Sequence, residues 1–257
     1  MRHARVLAVT AVIAVPLLLA VAIAQTSITP LPDNEQVAVA PLDAAAAGPS
    51  TWGDAQAGQA KAAACVACHG IDGNSPMDMY PSIAGQGERY IAEQMALIAN
   101  GQRGGLAVVM QPFVVDLGAQ DMRDIGAWYA SQKGTAGLAD DTPITEGDFA
   151  GQPFYAPGER LYRGGDASRG IPACLACHGP TRAGNPGPGW PRVAGQHARY
   201  VAQRLQQYRS GEHGLNDPAR FEIMASVAAR LTDHEIQSLA SYLQGLHPAR
   251  DDLAAAP

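Results

Sequence analysis

Residues 64–70 read Ala64-Cys65-Val66-Ala67-Cys68-His69-Gly70, and residues 173–179 read Ala173-Cys174-Leu175-Ala176-Cys177-His178-Gly179. Cys-x-x-Cys-His is the attachment signature of c-type haem. The spacing has a chemical reason. Two thiols on one helical turn reach the two vinyl groups of one porphyrin and form thioethers, and the adjacent imidazole lies beneath the iron as its fifth ligand. Cys65, Cys68, Cys174 and Cys177 are all the cysteines of the chain, so none is left for a disulfide or a nucleophile. A lone Cys-x-x-Cys also serves as a redox dithiol or as half a zinc knuckle. One zinc ion held by all four thiolates is the rival reading, and it leaves His69, His178 and the repeat around them unexplained. The expectation is two covalently bound haem c groups.

The repeat extends well beyond the two motifs. Tyr80-Pro81-Ser82-Ile83-Ala84-Gly85-Gln86 returns as Trp190-Pro191-Arg192-Val193-Ala194-Gly195-Gln196. The helical stripe Ile91, Met95, Ile98, at i, i+4 and i+7, returns as Val201, Leu205, Tyr208. Val108-Val109-Met110 aligns with Glu222-Ile223-Met224. The closing helix, expected over about residues 119–131 in the first copy, restarts at Leu231-Thr232-Asp233-His234-Glu235, where Thr232 and Glu235 form a capping box and Gly118 holds the equivalent cap position in the first copy. The offset between copies drifts only from 109 through 110 to 114. Function-bearing and packing positions align together, so the chain is one duplicated helical unit. The resulting division is 54–136 for the first domain, 137–157 for a linker, 158–248 for the second domain and 249–257 for a tail. The linker is expected from its prolines (Pro143, Pro153, Pro157) and its four acids without a base.

Each iron needs a ligand on its far side. Methionine there raises the potential and closes the iron to substrate. Met110 lies 41 residues after His69 and Met224 lies 46 residues after His178, at equivalent places in the repeat. The bland reading of a methionine is core filler. That reading suits Met95 and Met122, which lie on helical stripes, and Met77 and Met79 read as loop packing. Met110 and Met224 are the expected axial ligands. The outer nitrogens of His69 and His178 need acceptors, expected to be backbone carbonyls at or near Pro81 and Pro191. Tyr90 and Tyr200, or Arg89 and Arg199, are within reason for haem propionates or for plain helix surface. His197, His213, His234 and His247 lack repeat partners and read as surface residues, as does His3.

Aromatic residues make up only 6% of the 257 residues, a thin supply for two protein-only cores and a natural one where a porphyrin fills the volume. Residues 1–24 are a signal peptide or an uncleaved membrane anchor. Arg2, His3 and Arg5 precede an apolar run over 6–24 that approaches the roughly 20 residues needed to span a bilayer, and Ala22-Ile23-Ala24 has the small-x-small form of a cleavage site. Residues 25–53 are Ala- and Pro-rich and read as a flexible tether, which favours the anchor. Either way the domains are exported, with the tethered form held at the inner membrane.

The two motifs, the paired Ala-Gly-Gln-x-x-Arg-Tyr segments (84–90 and 194–200), Leu161-Tyr162-Arg163-Gly164-Gly165 and Tyr242-Leu243-Gln244-Gly245-Leu246-His247 resemble cytochrome c4 over about residues 54–247. The resemblance implies an all-α chain of two tandem class I cytochrome c domains. It implies His/Met iron through His69, Met110, His178 and Met224, and haem edges packed close together. It also implies a periplasmic electron carrier running from a cytochrome bc complex to a haem–copper terminal oxidase. The loop before Met110 looks short against the family, and the tether is an addition to it.

Charge divides the copies. Residues 54–136 carry five Lys/Arg against eight Asp/Glu, a net of −3; residues 155–248 carry ten against seven, a net of +3. Such a dipole steers encounters. A dihaem peroxidase or thiosulfate-oxidising enzyme needs an open or labile iron. No spare cysteine exists to ligate one, and each copy has a methionine for the far side. The leading expectation is therefore a carrier that turns over no small-molecule substrate and binds no nucleic acid. The alternative is a dihaem electron-accepting subunit of a dehydrogenase, such as a flavocytochrome that oxidises sulfide.

Overall fold

Asp54 starts the first helix because its carboxylate accepts from the Gln56 and Ala57 N–H groups, two of the donors a helix start leaves unpaired. The computed structural model describes residues 52–179, 184–211 and 218–247. Residues 1–51 of the expected anchor (1–24) and tether (25–53), His213 and the expected tail at 249–257 lie outside the described residues. In the first lobe α1 (Ala55–Lys61) tightens into a 3-10 turn (Ala62–Cys65) and then α2 (Val66–His69), which carries the motif. There follow α3 (Glu88–Ala99), a 3-10 turn (Gly105–Met110), α4 (Gln111–Val114) and α5 (Ala119–Ser131). The second lobe repeats the order with α6 (Ala156–Gly164), α7 (Leu175–His178), α8 (Ala198–Ser210), α9 (Pro218–Ala228) and α10 (Asp233–Gly245). Among the described residues the only β structure is isolated bridges.

Each lobe closes around its last helix. α1 and α3 pack on α5, and α6 and α8 pack on α10. The crossings are close because glycines sit at them. A Cβ on Gly58 would lie 1.9 Å from the Asp124 carbonyl oxygen, and one on Gly158 would lie 2.4 Å from the Ser238 carbonyl. The expected stripe Ile91, Met95, Ile98 is buried, joined by Val114, Met122, Ile125 and Tyr129. Val201 and Leu205 are buried with Leu161, Tyr162, Ile236, Leu239 and Leu243. Thr232 and Glu235 form the reciprocal box at α10. At α5 only half a box exists, because Gly118 donates to Asp121 and has no side chain to return the bond.

Two expectations on secondary structure shift. The first helix begins at Ala55 because Asp54 caps it, three residues before the start at Gly58 that the Ala-rich stretch 58–64 suggests. The two methionine segments are not built alike: Met224 stands inside the eleven-residue α9, whereas Met110 ends a 3-10 turn and the following α4 is a single turn. Residues 134–154 have no helix yet are tied down. Gly137 donates to the Gln244 carbonyl, Asp140 N–H to the Ser241 hydroxyl, and the Gln244 amide to the Leu138 carbonyl, so the acid-rich segment straps the far side of α10.

One buried acid supports the first lobe. Asp124, 4% exposed, accepts from Lys61 Nζ at 2.5 Å, from Asp54 N–H at 2.9 Å and from the Gln120 amide at 2.9 Å. Burial alone would raise its pKa, but these three donors override that and hold it at about 2, below its ordinary 3.8. Its contribution is present above pH 4 and is lost as pH falls towards 2. Asp124→Asn is expected to lower the stability of this lobe at pH 7 and to flatten its decline between pH 4 and 2, measured by urea unfolding across that range. Parallel acid curves for the two proteins would remove this role.

Candidate haem-binding site

In each lobe one helical turn presents both thiols and the histidine, and a Gly with positive φ ends it. Gly70 (φ 79°) and Gly179 (φ 80°) turn the chain away immediately after His69 and His178. The loop then brings a proline back under the imidazole. His69 Nδ1 lies 2.9 Å from the Pro81 carbonyl oxygen, and His178 Nδ1 lies 2.9 Å from that of Pro191. This is the expected acceptor in both copies. The bond places the proton on Nδ1 and leaves Nε2 with its lone pair free. Burial pushes both imidazoles below the ordinary histidine pKa, so the neutral, metal-binding form prevails. At His69 the positive Arg103 acts in the same direction.

The thiols fit thioether attachment better than a metal cage. All four are free and part-buried. Burial raises Cys65 and Cys177 and pushes Cys174 up to about 11, the reverse of the depression expected at a reactive thiolate. Among the described residues no group of three or more His, Cys, Asp or Glu is arranged to hold a metal ion, so the four thiols are not gathered at one point. Met110 packs against the first core with Cys65, and Met224 against the second with Cys174. Beside Met110, Leu106, Val108, Val109 and Phe113 stay half exposed or more, apolar surface suited to a large apolar group.

Other expected residues fall differently. Met95 and Met122 are core, both 4% exposed, while Met77 and Met79 are exposed rather than packed. Arg89 pairs with Glu93 along α3, and Arg199 reaches Asp78 of the first lobe at 3.3 Å; both are surface ion pairs. Tyr200 instead accepts from Arg103 Nη2 at 2.9 Å. Arg103, which also donates to Gln94, keeps a buried Nε with no partner. Nothing in its glycine-rich surroundings, Gly101 to Gly105, singled it out in the sequence. Its orphaned donor near His69 suits an acidic group such as a haem propionate. His197 is a correction: it is not free surface. Its Nε2 meets the Ser75 carbonyl of the first lobe at 3.0 Å, and the Ser75 hydroxyl donates to the Cys68 carbonyl at 2.8 Å. His234 is exposed and edges onto Phe154.

The cytochrome c family pattern matches residues 55–133 and 155–247. Cytochrome c4 of Pseudomonas aeruginosa is 46% identical over 195 residues, covering 76% of this chain and 90% of that protein. A thiosulfate dehydrogenase electron acceptor from Thiomonas intermedia is 35% identical over 224 residues, covering 86% and 95%. The crystal structure of reduced recombinant cytochrome c4 from Pseudomonas stutzeri superposes with a TM-score of 0.67 at 43% identity, over 76% of this chain and all of that one. Duplicated pockets, paired thiols and neutral imidazoles therefore have one common origin: the chain belongs to the cytochrome c4 family of dihaem electron-transfer proteins, two tandem cytochrome c domains each with its own covalently attached haem c.

Proposed function

We propose that the protein carries single electrons in the periplasm, with Cys65 and Cys68 holding one haem and Cys174 and Cys177 the other. In this reading His69 and Met110 ligate the first iron, and His178 and Met224 the second. When bound, the haems would supply two one-electron couples, with His69 and Met110 holding one iron and His178 and Met224 the other. The observation that carries this reading is the double convergence described above. In each lobe one thiol of the pair and a methionine pack against the same core, and the adjoining imidazole has its outer nitrogen already engaged. The Pro81 and Pro191 carbonyls hold each imidazole in one tautomer and orientation. The apolar clusters keep water from the space beside it, which sets the local dielectric and hence the potential.

The donor is a cytochrome bc complex and the acceptor a haem–copper terminal oxidase. A second reading, the electron-accepting subunit of a dehydrogenase, is favoured by one observation. The relative named as a thiosulfate dehydrogenase electron acceptor aligns with 86% of this chain, against 76% for the cytochrome c4 relatives. Either role is consistent with residues 6–24 anchoring the carrier to the inner membrane. The charge difference between the lobes assigns them to different partners. Arg160 and Arg163 are exposed on α6 of the positive lobe. Reversing both to Glu is expected to slow stopped-flow transfer with one physiological partner several-fold and to leave the other unchanged at low ionic strength. Reduction by the purified bc complex but not by a thiosulfate dehydrogenase supports the first partner set, and the converse supports the second. Equal slowing with every partner would remove the lobe assignment, and failure to exchange electrons with any would remove the carrier reading.

A further inference from the structure

The two lobes hold each other through a pair of glutamines that come from the repeat itself. Gly85 (φ 67°) and Gly195 (φ 71°) turn the chain after Ala84 and Ala194, and each turn is tied to its own lobe's last helix, Gly85 N–H to the Tyr129 carbonyl and Gly195 N–H to the Leu243 carbonyl. The next residue therefore projects out of its own lobe. Gln86 clamps the backbone of Arg192, donating from Nε2 to its carbonyl at 2.9 Å and accepting its N–H on Oε1 at 2.8 Å. Gln196 clamps Ser82 in the same way, at 2.8 and 2.9 Å. Side-chain amides that each close two bonds on a backbone residue of the opposite lobe form a reciprocal, crossed interface.

The residues clamped are the ones that follow the two prolines. The C=O of Pro81 and the N–H of Ser82 are the two ends of one planar peptide unit. One end accepts from His69 and the other donates to Gln196. The unit joining Pro191 to Arg192 likewise accepts from His178 and donates to Gln86. A peptide whose N–H is hydrogen-bonded is polarised and becomes a better acceptor, by something like 10–30% per bond. A better acceptor on Nδ1–H makes the imidazole a more electron-rich ligand, which favours the oxidised iron. We propose that Gln86 and Gln196 are positioning residues that act across the interface: Gln196 lowers the reduction potential of the first lobe and Gln86 that of the second. Each iron is thus tuned by the lobe that does not contain it.

This rests on His69 and His178 being the iron ligands. The experiment is a redox titration of the dihaem protein followed by NMR, with the methionine methyl and histidine Nδ1–H signals assigning each potential to its lobe. Gln196→Leu is expected to raise the potential of the first lobe by about threefold in its reduction equilibrium, or ~28 mV at about 59 mV per tenfold. The His69 Nδ1–H signal should move in the direction of a weaker hydrogen bond, with the second lobe unchanged; Gln86→Leu is expected to do the converse. Gln196→Asn, which keeps the amide but withdraws it by one methylene, should act in the same direction and serves if the leucine variant is not recovered. Arg199→Ala loosens the interface at its exposed ion pair with Asp78 without touching either peptide, and should leave both potentials in place. Unchanged potentials, a shift in the variant's own lobe, or an equal shift in both would overturn the proposal. A wild-type protein whose irons lack histidine ligation would instead overturn the ligand assignment, so the two failures are distinguishable.

Discussion

Met224→Ala is expected to lower the reduction potential of the second lobe by a few tenths of a volt, within the roughly 0.8 V that axial ligation spans, and to abolish its share of the weak near-infrared thioether–iron absorption. Thioether sulfur is a poor donor to oxidised iron, so its loss to water or hydroxide favours the oxidised state. Met110→Ala should do the same for the first lobe. Selectivity is part of the expectation. Met224 packs only against the second lobe's core and Met110 only against the first lobe's, so each variant should leave the other lobe's couple in place. Spectroelectrochemical titration of the two single variants and the double variant reads all of this. If the absorption band and both potentials survive the double variant, sulfur does not ligate either iron, and the far-side ligands must be sought elsewhere.

Met110 and Met224 can be picked out as candidate ligands because the repeat supplies a second reading of each position. The same logic exposed the motifs, the helical stripes and the proline acceptors. Much of what a single lobe's local order carries could be read this way. What lay hidden depends on pairs far apart in the chain. Gln86 and Gln196 were visible as a repeated Ala-Gly-Gln, but their partners stand 106 and 114 residues away, across an interface that no periodicity describes. Arg103 has no counterpart to draw attention to it. Asp124 adjoins the inward-facing Ile125 on α5, where an acid looks misplaced until Lys61, 63 residues earlier, is brought against it. Residues 134–154 have the proline and acid content of a loose linker, and composition alone does not reveal that their backbone groups are used by α10. His197 reads as surface for a related reason: the equivalent position in the first copy is Gly87, so the repeat offers no second ring to compare with it.

Gly158→Val is expected to cost the second lobe about 3–5 kcal/mol, a large share of the roughly 5–15 kcal/mol that holds an ordinary domain folded. The added Cβ would sit 2.4 Å from the Ser238 carbonyl carbon and oxygen and 2.5 Å from Leu239 Cα. These are backbone atoms of α10, so no rotamer change relieves the clash and α6 must lift as a body. Lifting breaks the bond from Gly158 N–H to the buried Ser238 hydroxyl at 2.7 Å, whose own donation to the Phe154 carbonyl anchors the start of α6. It also partly uncovers Leu161 and Tyr162, a fraction of the roughly 1.5–3 kcal/mol that full exposure of a large apolar side chain costs, on top of the roughly 1–3 kcal/mol typical of overpacking. Gly164→Ala on the same helix, where a Cβ meets nothing within 4 Å, should be neutral or stabilising by up to about 1 kcal/mol through helix propensity. Calorimetry should therefore show the second-lobe transition moving far down for the valine variant while the first lobe melts nearly as before and the alanine control matches the parent. A valine variant melting with the parent would mean that α6 and α10 do not cross at contact distance, and with that the shared architecture of the two lobes would lose its physical basis.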